Sequence, residues 1–317
     1  MKTAFLFPGQ GAQHVGMGKD LYEAFPAAQR VFDEAQAATG LPLKRLCFEG
    51  PEEELSRTDI CQPAVFTVSA AALAVMGELL GPEQFEAIRP AYMAGLSLGE
   101  YTALYAAGAV ELRPAVRLVA RRGRLMQEAA VAVPSGMVSV IGLHEARVRE
   151  LAEAAAQGEI LTCANFNCPG QVVLSGEIEA CRRVKLLAGD FGARAVVPLR
   201  VAGAFHGPIM APAAKELAKA LRAVKFRDPK VPVVSNVDAR PHAGAAEIPQ
   251  KLLAQLTSAI RWQQSVELLL ADGVESFYEI GPGQVLVKLM RGIRPKADVI
   301  SINCLEALEE ALMQTQT

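Results

Sequence analysis

The sequence predicts an α/β protein in which a large subdomain with a mostly parallel sheet carries a small inserted ferredoxin-like (βαββαβ) subdomain. Three observations lead to this fold class. Short apolar segments of strand length alternate with helix-forming segments over most of the chain. A G-x-S-x-G pentapeptide stands between one such strand and the helix that follows it. Residues 135–201 instead follow the order strand, helix, strand, strand, helix, strand.

The pentapeptide at residues 95–99 predicts a nucleophile elbow centred on Ser97. Residues 91–94 are apolar, as in a buried parallel strand, and residues 98–107 are good helix formers. A strand that turns directly into a helix leaves no room for side chains, and Gly95 and Gly99 provide that room. Ser97 would then lie at a helix N-terminus, where free N–H groups stabilise an oxyanion. The alternative is that the pentapeptide occurs by chance.

A glycine-rich loop follows the first predicted strand, residues 3–7. It reads PGQGAQ over residues 8–13, and GMGK follows at residues 16–19. A phosphate-binding Walker A loop would need glycine in place of Gln13 and serine or threonine in place of Asp20. The loop can instead present main-chain N–H groups and a glutamine to an oxyanion.

Arg122 falls on the apolar face of a helix predicted over residues 112–130. At about 100° per residue, that face also carries Ala115, Leu118, Val119, Leu125, Met126 and Ala129. A buried guanidinium without a partner is very costly. Arg122 therefore pairs either with a carboxylate of the protein or with the anionic group of a ligand, and the pattern alone favours neither.

The inserted subdomain is predicted from the order of its elements. Strands are expected over residues 136–143, 160–164, 171–175 and 194–199, and helices over residues 145–156 and 178–187. We therefore expect residues 134–201 to form the ferredoxin-like subdomain. Residues 1–133 and 202–317 would together form the large subdomain.

His206 is the candidate general base. Pro208 suits the first turn of a helix predicted over residues 209–224, so His206 would lie at a helix start, where the dipole disfavours imidazolium. A general base must be neutral. The other histidines stand in loop-like or charged surroundings, namely His14, His144 and His242. A lone histidine is more often structural, so the role of His206 depends on that of Ser97.

Composition argues against several classes of function. A formal net charge of −2 over 317 residues gives no basis for binding nucleic acid, and the apolar runs predict no transmembrane span or signal peptide. Six scattered cysteines form no C-x-x-C pair, and no histidine near Cys163 and Cys168 completes a metal site. We expect reduced thiols, no metal and a soluble cytoplasmic protein.

With Ser97, Arg122 and His206 in view, the chain resembles the malonyl-CoA:acyl carrier protein transacylases, the acyltransferases that load malonyl groups for fatty-acid and polyketide synthesis. The resemblance runs over nearly the full length, with its motifs in the same order. They are FLFPGQGAQ at residues 5–13, GLSLGEYTAL at 95–104, RRGRLMQEA at 121–129, NCPGQVVLSG at 167–176, GAFHGPIM at 203–210, VVSNVDA at 233–239 and YEIGPGQVL at 278–286.

The resemblance implies a role for each candidate. Ser97 would be the nucleophile and His206 its base, while Gln10 and the main-chain N–H of Leu98 would form the oxyanion hole. Arg122 would bind the free carboxylate of malonate. The large subdomain would be hydrolase-like.

Other positions need separate comment. Leu96 stands where many family members have histidine, and Arg261 stands where some have a glutamine whose main-chain carbonyl orients the catalytic histidine. Since any residue keeps its carbonyl, Arg261 could retain that role. Asp238 is a candidate third triad member, but the sequence favours a turn residue at this position. Phe205, beside the base, is expected to narrow the pocket next to the malonyl α-carbon.

The implied reaction is transfer of a malonyl group from malonyl-CoA to the phosphopantetheine thiol of acyl carrier protein through a malonyl-serine, in fatty-acid biosynthesis and without a cofactor. We expect a monomer that binds malonyl-CoA and acyl carrier protein, and neither nucleic acid nor a membrane. The alternatives are a trans-acting polyketide-synthase acyltransferase, a serine hydrolase or thioesterase with water as acceptor, and a non-catalytic binding protein with an unreactive Ser97.

Overall fold

The structure is a computed structural model that describes residues 2–315. Met1, Gln316 and Thr317, which belong to the predicted large subdomain, lie outside the described residues. The described chain forms nine strands: β1 (Lys2–Phe7), β2 (Tyr92–Gly95), β3 (Ser135–Ile141), β4 (Leu161–Cys168), β5 (Gln171–Glu177), β6 (Ala195–Pro198), β7 (Val233–Val234), β8 (Val274–Ile280) and β9 (Asp298–Ile302).

Helices connect and cover these strands. They are α1 (Lys19–Ala24), α2 (Pro26–Thr39), α3 (Leu43–Glu49), α4 (Glu52–Leu55), α5 (Thr58–Ala87), α6 (Leu98–Ala106), α7 (Leu112–Ala132), α8 (Glu145–Ala156), α9 (Ile178–Leu187), α10 (Ala211–Arg222), α11 (Ile248–Ala254), α12 (Trp262–Ala271), α13 (Val285–Ile293) and α14 (Leu305–Thr315).

Five strands form a parallel sheet in the order β7-β2-β1-β8-β9. The central strand β1 is apolar and buried from Ala4 to Phe7, as a strand covered on both faces must be. Phe7, the last residue of β1, pairs with Gly95, the last residue of β2. The loop after β1 and the elbow after β2 therefore meet at the carboxyl edge of the sheet.

The remaining four strands form an antiparallel sheet in the order β4-β5-β3-β6. Its chain order is β3, α8, β4, β5, α9, β6, which is the predicted ferredoxin-like unit. The α/β fold class, with a parallel sheet and a separate ferredoxin-like sheet, is confirmed. The prediction ended the second strand of this unit at residue 164, whereas β4 continues to Cys168 because Phe166 and Cys168 keep pairing with β5.

Other predicted boundaries shift in ways that the packing explains. The edge strand β7 is only two residues long, because just Val233 and Val234 pair with β2. The helix expected over residues 209–224 begins as a 3₁₀ turn, Pro208–Met210, before α10. The prediction did not include α3, whose Leu43, Leu46 and Cys47 are buried.

The helix α5 is the longest in the described chain, and its φ of 69° at Gly81 marks a kink. By length and composition, its segment Thr58–Glu86 could cross a membrane. However, 72% of its most apolar window is buried inside the protein. It packs against α2 and α7, which is the arrangement of a core helix.

Candidate active site

The turn between β2 and α6 holds Ser97 in an uncommon backbone conformation, with φ of 53° and ψ of −100°. The glycines on both sides are required. A Cβ on Gly95 would lie 2.0 Å from the carbonyl carbon of Gly99, and a Cβ on Gly99 would lie 2.0 Å from the carbonyl oxygen of Phe7. Leu98 is the first residue of α6, so its main-chain N–H has no acceptor within the helix. The turn thus has the geometry of a nucleophile elbow.

His206 lies beside Ser97, with its Nε2 atom 2.8 Å from Ser97 Oγ. The other ring nitrogen, Nδ1, lies 2.8 Å from the main-chain carbonyl oxygen of Gln255. A carbonyl oxygen only accepts hydrogen bonds, so Nδ1 carries the proton and Nε2 is free to take the proton of Ser97. This is the arrangement of a nucleophile and its general base.

Burial, together with the nearby positive charge of Arg122, lowers the pKa of His206 to about 3. The imidazole is therefore neutral at ordinary pH. The sequence argument had attributed this neutrality to a helix dipole. The largest cause in the structure is burial, and the 3₁₀ turn Pro208–Met210 that follows His206 leads directly into α10.

Arg122 is fully buried on the inner face of α7, as the helix pattern predicted. Its guanidinium donates hydrogen bonds to Gln62 Oε1 at 2.6 Å, to Gln255 Oε1 at 2.9 Å and to Ser97 Oγ at 2.9 Å. All three partners are neutral. Within residues 2–315, Nε of Arg122 is buried without a hydrogen-bond partner. The buried cation therefore retains hydrogen-bonding capacity next to Ser97.

Arg122 also approaches an aromatic ring, and the helix that carries it packs closely on α5. Its Cζ atom lies 5.2 Å from the centroid of the Tyr101 ring. The next residue, Gly123, allows α7 to lie close to α5, since a Cβ there would be 2.7 Å from the carbonyl oxygen of Thr58. This close packing fixes the position of the guanidinium.

A cavity of about 220 Å³ connects these groups. Gln10, Leu98 and Phe205 line it together with Ser97 and His206. Its remaining walls are Gly9, Gln62, Leu96, Arg122, Met126, Met137, Asn165, Asn167, Gln171, Val173, Leu199, Val201, Val285 and Leu289. The structure thus brings six of the predicted site residues to one cavity, namely Gln10, Ser97, Leu98, Arg122, Phe205 and His206.

Comparison with known proteins agrees with this geometry. Residues 4–309 match the sequence pattern of the acyl transferase domain. The chain belongs to this acyltransferase family. The acyltransferase is 42% identical over 312 residues to the malonyl CoA-acyl carrier protein transacylase of Bacillus subtilis (strain 168), an alignment that covers 98% of this chain and 96% of that one.

Solved structures show the same fold over the whole chain. An acyl-carrier-protein S-malonyltransferase from Bartonella henselae superposes with a TM-score of 0.94 at 40% identity and covers all of both chains. A malonyl-transacylase in complex with its type II PKS acyl-carrier protein superposes with a TM-score of 0.92 at 40% identity and covers 99% of this acyltransferase and 100% of that chain.

One sequence-based assignment in the acyltransferase needs correction, and the structure decides one alternative that the sequence left open. The carbonyl that orients His206 belongs to Gln255 and not to Arg261, whose main-chain N–H and Nε bond to the carbonyls of Asn236 and Val237. Asp238 is a turn residue, as the sequence favoured, and not a triad member. It caps a turn by accepting from the Arg240 N–H, and it forms an ion pair with Lys251 at 3.0 Å.

The sequence analysis missed a buried polar network behind the elbow. Glu100, His242, Asn236 and Gln255 are all buried. Asn236 Oδ1 accepts the main-chain N–H of Ser97 at 2.7 Å, and Asn236 Nδ2 donates to the carbonyl of Gly95 at 2.8 Å. One signal for the network was present, because Glu100 is the only charged residue in the apolar stretch 91–110.

Proposed function

We propose that this acyltransferase moves a malonyl group from malonyl-CoA to the phosphopantetheine thiol of acyl carrier protein, in fatty-acid synthesis. The observation that carries the proposal is the position of Arg122. A fully buried guanidinium with neutral partners lies 2.9 Å from the nucleophile, in the cavity that must hold the acyl group. A planar guanidinium binds a carboxylate through two parallel hydrogen bonds, and the free end of a malonyl group is a carboxylate.

In the first half-reaction, Nε2 of His206 takes the proton of Ser97 while Oγ attacks the thioester carbonyl carbon. The main-chain N–H of Leu98 and the loop at Gln10 stabilise the oxyanion. The tetrahedral intermediate collapses, the carbon–sulfur bond breaks, and the CoA thiolate takes the proton from His206. Ser97 then carries a malonyl ester.

In the second half-reaction, His206 takes the proton of the phosphopantetheine thiol, and the sulfur attacks the malonyl ester. The carbon–oxygen bond breaks, and the proton returns through His206 to Ser97 Oγ. Both steps use only side chains and main-chain groups of the protein, so we propose that no metal or cofactor takes part.

The proposal includes a cytoplasmic location. All six cysteines are free thiols, and Cys47, Cys61, Cys168 and Cys181 are buried. Unpaired cysteines in this number are typical of a reducing compartment.

Incubation with radiolabelled malonyl-CoA, followed by addition of holo acyl carrier protein, tests the reaction. The proposal requires a stable labelled protein whose label moves to the carrier only after the carrier is added. Rapid release of free malonate would instead identify a hydrolase. A protein that takes up no label would be a non-catalytic binding protein.

A further inference from the structure

The buried charge of Arg122 needs a counter-charge, and the groups in direct contact do not supply one. Gln62, Gln255 and Ser97 are neutral. Burial raises the pKa of Tyr101, the nearby ring, to about 12, so the phenol is also neutral at ordinary pH. The remaining anionic group that acts on Arg122 is Glu100, whose charge favours the protonated guanidinium.

Glu100 reaches Arg122 through one side-chain amide. Its Oε2 accepts Gln255 Nε2 at 2.7 Å, and Gln255 Oε1 accepts the guanidinium at 2.9 Å. A carboxylate only accepts hydrogen bonds, so it turns the NH₂ end of the Gln255 amide towards itself and the oxygen towards Arg122. Gln255 Nε2 also donates to the carbonyl of Ser97 at 3.0 Å, which reinforces this orientation.

The carboxylate of Glu100 is itself held on both oxygens. Oε2 also accepts the main-chain N–H of Asn236 at 3.0 Å, and Oε1 lies 2.9 Å from His242 Nε2. The side chains of Glu100 and His242 have no exposed surface. A carboxylate fixed in this way cannot swing to Arg122 and form a direct ion pair.

We propose that Glu100 is the counter-charge of Arg122, acts on it through the Gln255 amide, and thereby controls selection of a carboxylated acyl group. The inference rests on the proposed function. A direct ion pair would occupy the guanidinium donors that a malonyl carboxylate needs. A carboxylate one amide away stabilises the buried cation and leaves those donors to the substrate. Glu100 is thus a positioning residue, because it acts through Gln255 and Arg122.

The test is a double-mutant cycle of Glu100→Gln and Arg122→Met. For each protein, kcat/KM for acylation is measured with malonyl-CoA and with acetyl-CoA, and a thermal melt gives Tm. Glu100→Gln should lower kcat/KM for malonyl-CoA by about 10- to 100-fold, mainly through KM, and that for acetyl-CoA by less than about threefold. Acetyl has no carboxylate and does not need the charged guanidinium. In the Arg122→Met background, Glu100→Gln should have no further effect on malonyl transfer and should raise Tm, since it removes a buried charge that has lost its partner.

Glu279→Gln is the matched control. Glu279 is also a fully buried carboxylate, but it accepts the N–H groups of Leu286 and Val287 at the start of α13. This variant should lower Tm and leave the malonyl-to-acetyl ratio within about threefold of wild type. Equal losses with both donors in Glu100→Gln, or additive effects in the cycle, would overturn the role of Glu100.

If a variant fails to fold, that result also distinguishes the proposed coupling of Glu100 and Arg122 from a purely structural role of Glu100. If Glu100→Gln is insoluble and the double variant folds, the two charges are coupled as proposed. If both are insoluble while Arg122→Met folds, Glu100 supports the fold alone and the inference is wrong. A wild-type protein that shows no preference for malonyl-CoA over acetyl-CoA would instead refute the proposed function, so the two failures are separable.

Discussion

Nδ1 of His206 lies 2.8 Å from the main-chain carbonyl oxygen of Gln255, the place that a carboxylate holds in a Ser-His-Asp triad. A carbonyl orients the ring and fixes its tautomer, but it brings no negative charge to stabilise an imidazolium. Burial and the charge of Arg122 oppose protonation as well, and the pKa of His206 is lowered to about 3. The base is therefore ready for proton transfer over an unusually wide pH range.

We expect the rate of acylation by malonyl-CoA to change little between pH 8 and pH 5, because His206 stays neutral over that range. A stopped-flow measurement of acyl-enzyme formation at several pH values checks this. A fall in rate with an apparent pKa near 6.5, the ordinary value for histidine, would contradict the burial argument.

His206 should also make folding stability depend on pH. Its pKa is lowered in the folded state to about 3 from 6.5, so between these values the unfolded state binds the extra proton. Stability should therefore fall as pH drops from 6.5 towards 3, by at most about 1.4 kcal/mol per pH unit from this group. Denaturant titrations should show a steeper loss between pH 7 and pH 4 for wild type than for His206→Gln. Parallel curves for the two proteins would refute the shift.

Ser97→Ala should form no malonyl adduct when incubated with malonyl-CoA, because Ser97 is the only hydroxyl that His206 Nε2 approaches in the described structure. Intact-protein mass spectrometry detects the malonyl adduct directly. His206→Ala should still form the adduct but about 10²–10⁴-fold more slowly, the usual contribution of a general base. A full adduct on Ser97→Ala would remove Ser97 from the mechanism, and an unchanged rate in His206→Ala would do the same for His206.

Arg122→Ala should reduce kcat/KM for malonyl-CoA by roughly 30- to 4,000-fold, which corresponds to about 2–5 kcal/mol for loss of one partner of a buried charge pair. Acetyl transfer should fall less or even rise, since acetyl has no carboxylate. Arg122→Lys should also be poor, because an ammonium cannot form the two parallel hydrogen bonds.

The control for Arg122 is Arg124→Ala, which removes an arginine whose side chain is 64% exposed on the opposite side of α7. It should leave the malonyl-to-acetyl ratio unchanged. If Arg122→Ala reduces both rates equally and also lowers Tm, the residue is structural and does not bind the acyl carboxylate.

Phe205 should favour malonyl-CoA over methylmalonyl-CoA without excluding the latter. The ring is 5% exposed and lines the cavity beside His206, and one extra methyl group in such a pocket costs about 1–3 kcal/mol. Comparison of kcat/KM for the two donors in wild type and Phe205→Ala measures the effect. Equal values for both donors in wild type would show that Phe205 does not limit the pocket.

The parts of the site that short sequence patterns determine were predictable. The glycines around Ser97 and the apolar face around Arg122 depend on neighbours within one or two turns of chain. The acceptor for His206 depends instead on how α11 and the residue after it, Gln255, pack against the elbow. No local pattern distinguishes Gln255 from Arg261 for that role, and the wrong one was chosen.

The buried network was missed for the same reason. Glu100 and His242 come together because β7 runs beside β2, and β7 is only two residues long. A strand so short leaves little periodicity to detect, and its sequence does not show which side chains lie beyond its end. The pairing of β2 with β7, which are far apart in the sequence, positions these side chains, and no local sequence pattern predicts it.

The central place of β1 in the parallel sheet has a consequence for synthesis on the ribosome. One edge of β1 pairs with β2, but the other edge pairs with β8, where Ala4 lies opposite Phe277. While a nascent chain lacks residues 274–280, β1 has an unpaired apolar edge, and the loop that carries Gln10 has no finished sheet to support it. Until translation passes β8, that apolar edge is open to pairing with the wrong partner.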